Sequence, residues 1–452
     1  MKSVFRPALL ALAAMASLGA SLPTLASEAE VDASLANPAY RYISNQLLVQ
    51  FKPGQAAHVR EEVLARLGAK TARVLRGVMG SEVAQGETHL VKLPAGLTVP
   101  AAIQALRGHP ALKLAEPNWE LSLDKAPNDP YVTSGQLWGY LGDTNPGPKN
   151  AFGSGAAEAF HNKRKCKDSV IVGIIDEGVM NTHPDTSSNI WVNPFEIAGN
   201  GIDDDGNGYA DDVNGWDFLH DEKTTFDGAT DDHGTHVSGT IGAKANNGVG
   251  IAGVCNKVKM ISAKFLEGSG STADAIDAVN YITDLKQRHD LNIVATNNSW
   301  GGGGFSTPLK NAIDAAGAAD ILFVASAGNN AQNSDTSPSY PAAYTSPNII
   351  SVASITSTGA KSSFSNWGAV SVDLGAPGSG IWSTVPTGTG YASYSGTSMA
   401  APHVTGAVAL YASLNPGKTA AQIKAAILAA TVPTASMAGI TVTGGRLDVG
   451  GF

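Results

Sequence analysis

Val170-Ile171-Val172-Gly173-Ile174-Ile175-Asp176-Glu177-Gly178 is the stretch on which the fold is decided. An unbroken apolar run that ends in a carboxylate and a glycine describes a strand buried on both faces, with a charged group at its carboxyl end. Taken alone, such an Asp is an ordinary turn residue. Working outward, residues 260–266, 293–295, 321–325 and 349–355 are further short apolar runs, and helical segments lie between several of them. The clearest helix has Ala420, Ile423, Ile427 and Leu428 at i, i+3, i+7 and i+8, one apolar stripe. Strands alternating with helices predict an α/β fold, a mostly parallel sheet with helices on both faces and right-handed crossovers.

Residues 40–124 read differently. Strands are expected at 47–51, 89–93 and 113–123 and helices at 57–67 and 99–106, a small α+β unit. The loop-like residues 125–131 mark its end. Before it, Lys2 and Arg6, the apolar residues 8–20 and Thr24-Leu25-Ala26 have the order of a signal peptide. The expected organisation is therefore a signal peptide at 1–26, a leader unit at 27–125 and the main domain at 126–452. No other stretch approaches the ~20 apolar residues of a membrane helix, so an exported protein without a membrane anchor is expected.

Composition narrows the function classes. Hydrophobic residues make up 43% of the 452 and charged residues only 15%, enough apolar surface for a large core. From Ala126 onward there are 17 basic and 29 acidic side chains, so a nucleic-acid footprint is absent and an acidic surface, or cation sites, is expected. Cys166 and Cys255 form one disulfide or remain two buried thiols.

Two more segments place reactive side chains at helix starts. In Asp232-His233-Gly234-Thr235-His236 the aspartate suits an N-cap, and Val237, Thr240 and Ile241 give the helix an inward face. The two histidines could share a metal or be structural, but the Glu of a His-Glu-x-x-His zinc site is missing. In Gly396-Thr397-Ser398-Met399-Ala400-Ala401-Pro402-His403, Ser398 is either a cap or a nucleophile favoured by the helix dipole, and Pro402 is expected near the first turn.

Together, "IIDEGV", "DHGTHVSGTIGA", "NNSWGG", "ASAGNN" and "GTSMAAPHV" resemble, in order, the signature segments of the subtilisin-like serine proteases, the subtilases. The resemblance runs from about Asn128 to the C-terminus, and the unit ending in "AEPNW" looks like a subtilase propeptide. It implies Asp176 as the orienting carboxylate, His233 as general base, Ser398 as nucleophile and Asn329 as oxyanion-hole side chain. A serine hydroxyl needs such a base, and the base needs a carboxylate to fix its tautomer. Ser299, Trp300, Gly301 and Gly302 would pair with an extended peptide. With Ala327 and Gly328 they would frame an S1 pocket for a large, uncharged side chain. The implied partners are polypeptide substrates and the chain's own propeptide as chaperone and inhibitor, with a monomeric enzyme and no organic cofactor. A non-catalytic peptide-binding relative and a secreted esterase are the rivals. The esterase would need a Gly-x-Ser-x-Gly elbow, and Ser398 sits in Gly-Thr-Ser-Met-Ala.

Two structural calcium sites are expected. Residues 203–214 have the oxygen spacing of an EF-hand loop, although Asn214 replaces its last glutamate and a solvated acidic loop is the alternative. The expected ligands are Asp203, Asp205, Asn207, the Tyr209 carbonyl and Asp212. The second site rests on the resemblance, which implies Asp129, Asp185 and Asn247 with the carbonyls of Ala245, Val249 and Ile251. The family's sheet also makes the strand ending at Asp176 and that at 260–266 neighbours, which would let Cys166 meet Cys255.

Overall fold

The computed structural model describes residues 28–36, 42–75, 86–119 and 127–452. The expected signal peptide lies outside them. The chain divides into two compact units, Met1–Leu123 and Asp124–Phe452.

The first unit contains α1 (Glu28–Ala36), β1 (Tyr42–Phe51), α2 (Ala57–Ala65), β2 (Lys70–Leu75), β3 (Thr88–Lys92), α3 (Val99–Leu106) and β4 (Leu112–Trp119). The strands form an antiparallel sheet in the order β2-β3-β1-β4. Leu47, Val49 and Phe51 alternate into a core completed by Val63 and Leu64 of α2 and Ile103 and Leu106 of α3. The sequence reading lacks α1 and β2. Strand β2 is an edge strand whose residues, Lys70 to Arg73 among them, are exposed, so no apolar alternation announces it.

The second unit contains α4 (Pro130–Thr133), α5 (Ala156–His161), β5 (Ile171–Asp176), β6 (Gly215–Asp217), α6 (Asp232–Gly242), β7 (Lys259–Lys264), β8 (Leu266–Glu267), β9 (Ser269–Gly270) and α7 (Thr272–His289). It continues with β10 (Ile293–Asn298), α8 (Thr307–Ala318), β11 (Leu322–Ser326), β12 (Ile349–Ile355), β13 (Leu374–Pro377), β14 (Ile381–Thr384) and β15 (Tyr391–Tyr394). Last come α9 (Thr397–Leu414), α10 (Ala420–Ala429), β16 (Val432–Pro433) and β17 (Gly445–Arg446). The main sheet has nine strands in the order β16-β17-β13-β12-β11-β10-β5-β7-β6, parallel except for the β16–β17 pair.

Strand alternation sorts the side chains into two cores. Val172 and Ile174 of β5 pack with Val237 and Ile241 of α6 and Val404 and Val408 of α9. Ile171 and Ile175 face the other way, toward Ala278 and Ile282 of α7 and Ile313 of α8. Gly173 belongs to this second face, where a β-carbon would come within 3.0 Å of Ile282 and 3.2 Å of Thr296. The glycine lets α7 lie close on the sheet. Strands β5 and β7 are neighbours, and Cys166 and Cys255, just before each, form a disulfide with S–S 2.04 Å and Cα–Cα 5.4 Å. Closing a loop of 89 residues is worth about 4–5 kcal/mol in the chain-entropy account.

Candidate active site

The parallel sheet collects its chemistry at the carboxyl ends of β7, β5, β10 and β11. Asp176 closes β5 and is 1% exposed. Its Oδ1 faces His233 Nδ1 at 2.7 Å and also accepts the Glu177 N–H at 2.9 Å. Asp176 Oδ2 is buried and has no partner among the described residues.

His233 is the second residue of α6. Gly234 sets the helix against the loop after β5, since a β-carbon there would lie 2.1 Å from the Gly178 carbonyl oxygen. The N-cap is Asp231, not Asp232 as the sequence suggests, and its side chain does not cap. Its carboxylate instead accepts from Lys264 Nζ at 2.7 Å and from the Asp227 N–H at 2.6 Å. Lys264, the last residue of β7, is fully buried between Asp231 and Asp227. Burial opposes its charge, but the hydrogen bonds it donates to these two carboxylates hold its pKa above the ordinary lysine value. Asp232 accepts instead from the Tyr394 hydroxyl. Burial also opposes a charge on His233, but Asp176, Glu177 and Asp232 outweigh it and raise its pKa to about 9.

His236 turns away from this group. Its Nε2 lies 3.0 Å from the Ile381 carbonyl, its ring stacks on Tyr394, and burial lowers its pKa to about 3. The pair of histidines is thus divided between the site and the core.

Ser398 is the second residue of α9, on an 18-residue helix whose dipole favours negative charge at this end. Its Oγ donates to the Ser299 carbonyl at 3.1 Å, and Ser299 Oγ donates to the Ser398 carbonyl at 2.8 Å. Pro402 is the cause of the second bond. It stands sixth in the helix, deeper than the sequence suggests, and its missing N–H leaves the Ser398 carbonyl without an i+4 donor. Asn329 follows β11, and its Oδ1 accepts from Thr397 N and Thr397 Oγ1, both at 2.9 Å. An N–H can only donate, so this contact fixes the amide orientation; Nδ2 and the Ser398 N–H both lie near Gly396, where a β-carbon would be 3.6 and 3.5 Å from them.

A cleft of about 520 Å³ runs past Asp176, Glu177 and His233, lined further by Leu266, Gly268, Ser299, Trp300, Gly301, Gly302 and Tyr340. Ala327 is buried and Gly328 packs toward Asn366; neither is on this cleft's wall.

Residues 167–444 match the Subtilase family, and residues 28–118 match the fervidolysin N-terminal prodomain. This chain is a subtilase. The thermophilic serine proteinase of Bacillus sp. strain AK1 is 31% identical over 388 residues, covering 85% of this chain and 82% of that protein. Thermitase from Thermoactinomyces vulgaris is 36% identical over 303 residues, 67% of this chain and 90% of its own length. The extracellular protease of Xanthomonas campestris is 31% identical over 439 residues, 90% and 71% of the two lengths. A solved protease from Pseudoalteromonas arctica superposes with TM-score 0.56 at 27% identity, covering 72% of this chain and 96% of that one. The subtilase is accordingly a serine-protease-type hydrolase with a prodomain.

The residues expected to hold metal fall into two groups in the subtilase unit. Asp129 and Asp185 are both 0% exposed, and neither has a cationic partner within ion-pair distance among the described residues. Burial raises the pKa of Asp185 to about 6 despite hydrogen bonds from Ile251 N, Asn247 Nδ2 and the Tyr391 hydroxyl. Asn246 and Asn247 donate their main-chain N–H groups to Asp129, which draws the loop carrying Ala245, Val249 and Ile251 around these carboxylates.

In the acidic loop, Asp203 accepts from the N–H groups of Gly206, Asn207 and Gly208, while Asp212 is buried against Asn193, Asn207 and the Tyr281 hydroxyl. Asp205 meets Asn207 and His289, and Tyr209 packs its ring on Trp216. The sequence reading misses Glu196, whose carboxylate comes within 4.8 Å of those of Asp203 and Asp205. It lies outside the loop spacing that reveals the others. Lys264 is also missed, although a lone cation inside an apolar strand run is a visible signal.

Proposed function

We propose that this subtilase is a secreted endopeptidase that acts through Asp176, His233 and Ser398, and that it matures from a signal–propeptide–catalytic precursor by autoprocessing. The division is 1–26, 27–125 and 126–452. The observation that carries the reading is the 2.7 Å contact of His233 Nδ1 with the buried Asp176, which leaves the other ring nitrogen for the serine.

Ser398 Oγ attacks the peptide carbonyl carbon while His233 Nε2 takes its proton. Asp176 keeps the proton on Nδ1 and stabilises the imidazolium. The oxyanion receives the Asn329 Nδ2–H and the Ser398 N–H, donors already oriented by Thr397 and the helix start. His233 returns the proton to the leaving amine, and water repeats the sequence on the acyl-enzyme. At rest the serine hydroxyl is donated to Ser299, so it swings to His233 as substrate binds. Residues 299–302 supply the pairing edge for an extended polypeptide and line the cleft that sets the preference for a large uncharged side chain. The propeptide is chaperone and inhibitor, and the enzyme works as a monomer.

Calcium is the structural cofactor of this reading. Asp129, Asp185 and Asn247 with the carbonyls of Ala245, Val249 and Ile251 would hold one ion. Asp203, Asp205, Asn207, the Tyr209 carbonyl and Asp212 would hold another, with Glu196 added to them. Asp129, Asp185 and Asp212 are buried carboxylates without a lysine or arginine partner among the described residues, and that, with oxygen-only donors, is the chemistry that suits Ca²⁺.

A serine-directed covalent inhibitor should label Ser398 alone, and Ser398→Ala should lose at least ~10³-fold in activity. Activity should climb with pH as the imidazolium, whose pKa is raised to about 9, gives up its proton. Labelling at another serine, or near-normal turnover in Ser398→Ala, would remove the assignment.

A further inference from the structure

We propose that Asn366 is a positioning residue for the reaction: its side chain fixes the loop from which Asn329 reaches the oxyanion. The inference deepens the serine-protease reading and rests on it. Stabilising an oxyanion demands a donor already in place, because a donor that must be ordered during the reaction gives back much of its worth. Packing alone does not hold Asn329 that way. It follows β11 in a turn where Asn329, Asn330, Ala331 and Gln332 are all exposed, and such a loop has few apolar contacts to keep it still.

Asn366 supplies what packing does not. It is fully buried, and both ends of its side-chain amide are spent on this one loop. Nδ2 donates to the Ala327 carbonyl at 3.0 Å, and Oδ1 accepts the N–H groups of Asn330 and Gln332, each at 3.0 Å. Its main-chain N–H donates to the Gly328 carbonyl at 2.8 Å. The side chain therefore grips the chain on both sides of Asn329. Main-chain bonds from Ala331 N to the Phe364 carbonyl and from Trp367 N to the Gln332 carbonyl secure only the far part of the loop. Thr397 holds the Asn329 amide itself, whereas Asn366 sets the backbone from which that amide projects. The task calls for one donor and an acceptor with two lone pairs, which a side-chain amide provides in one group.

Two backbone features of the loop fit this role. Gly328 has φ +105°, and a β-carbon there would lie 2.4 Å from Asn366 Nδ2, so glycine is what lets the amide in. Ala331 holds φ +54°, a left-handed conformation that a residue other than glycine keeps when its surroundings over-determine it. It stands between the two N–H groups that converge on Asn366 Oδ1.

The test is a double-mutant cycle in the purified active enzyme, reading kcat and KM on one peptide substrate for Asn366→Ala, Asn329→Ala and the two combined. Asn366→Ala should lower kcat by between about tenfold and a hundredfold, the cost of misplacing a group near the reaction, with KM within about twofold of the parent. On the Asn329→Ala background the same substitution should change kcat by less than about twofold, because the donor it positions is gone. A general loosening of the fold would lower activity equally on both backgrounds. Unchanged kcat in Asn366→Ala, or a loss repeated in full beside Asn329→Ala, would overturn the proposal. Should Asn366→Ala fail to fold, Asn366→Asp takes its place, keeping the acceptor for Asn330 and Gln332 and losing the donor to Ala327. Its smaller loss of kcat should likewise vanish beside Asn329→Ala, and the same two outcomes would overturn the proposal. If the parent cleaves no peptide and Ser398 takes no covalent label, the protease reading falls and this one with it. A strong effect of Asn329→Ala with a silent Asn366→Ala removes this one alone.

Discussion

The carboxylates buried around His233 and those buried in the outer loops solve the same problem in different ways. Asp176 and Asp231 meet a cation of the chain itself, His233 and Lys264, each at 2.7 Å. Asp129, Asp185 and Asp212 meet only N–H, amide and hydroxyl groups, and burial lifts all three above the ordinary carboxylate range. An unpaired buried charge is expensive, so the loop carboxylates need a positive charge that the polypeptide does not supply. The first group is complete as folded; the second is the one to which we assign a calcium ion in the proposed function. On that reading, chemistry depends on the first and endurance on the second.

The sharpest way to separate them is a matched pair of substitutions. Asp176→Asn should cut kcat by about 10⁴, because the imidazole loses its correct tautomer, while the melting temperature stays near that of the parent. Asp185→Asn should do the reverse, lowering the melting temperature and sparing kcat at moderate temperature. Kinetics and calorimetry on both variants read the crossover, and a large kcat loss in Asp185→Asn would dissolve the distinction.

Next in size is Lys264→Met. Removing the cation strands Asp231 and should cost about 3–5 kcal/mol of stability, measured by denaturant unfolding of an inactive Ser398→Ala background. A change below about 1 kcal/mol would show that Asp231 does not depend on its lysine.

The smallest effect is expected from calcium itself. At a hundredfold excess over its dissociation constant, an ion adds about 2.7 kcal/mol per site, so chelator should lower the melting temperature and hasten autolysis. Equal melting temperatures in chelator and in millimolar calcium would contradict both proposed sites.

Much of this arrangement is legible in the sequence, for identifiable reasons. Strand β5 is recognisable because burial on both faces demands an unbroken apolar run, and Gly173 does not interrupt it. Asp176, His233 and Ser398 are singled out by their places at strand and helix ends, but the roles proposed for them come from the resemblance, since positions this far apart in sequence carry no local sign of a shared site. Strand β2 is silent because an exposed edge strand imposes no pattern on its side chains. Lys264 shows itself as an anomaly, yet its partners are 33 and 37 positions upstream, at Asp231 and Asp227, and nothing local announces them. Asp232 looks like a cap, but the buried lysine draws Asp231 inward and leaves Asp232 to Tyr394.

Ser299 and Ser398 are joined by two reciprocal bonds, and the one that Ser299 Oγ donates answers a proline that withholds one N–H from a helix. In mechanical terms, the part that grips the workpiece and the part that cuts are indexed to each other instead of to a distant frame. On the proposed mechanism, a shift of residues 299–302 would carry the nucleophile with it, and the error between them would stay small. Pro402, which touches neither substrate nor proton, thereby sets the tolerance to which the cutting edge is held.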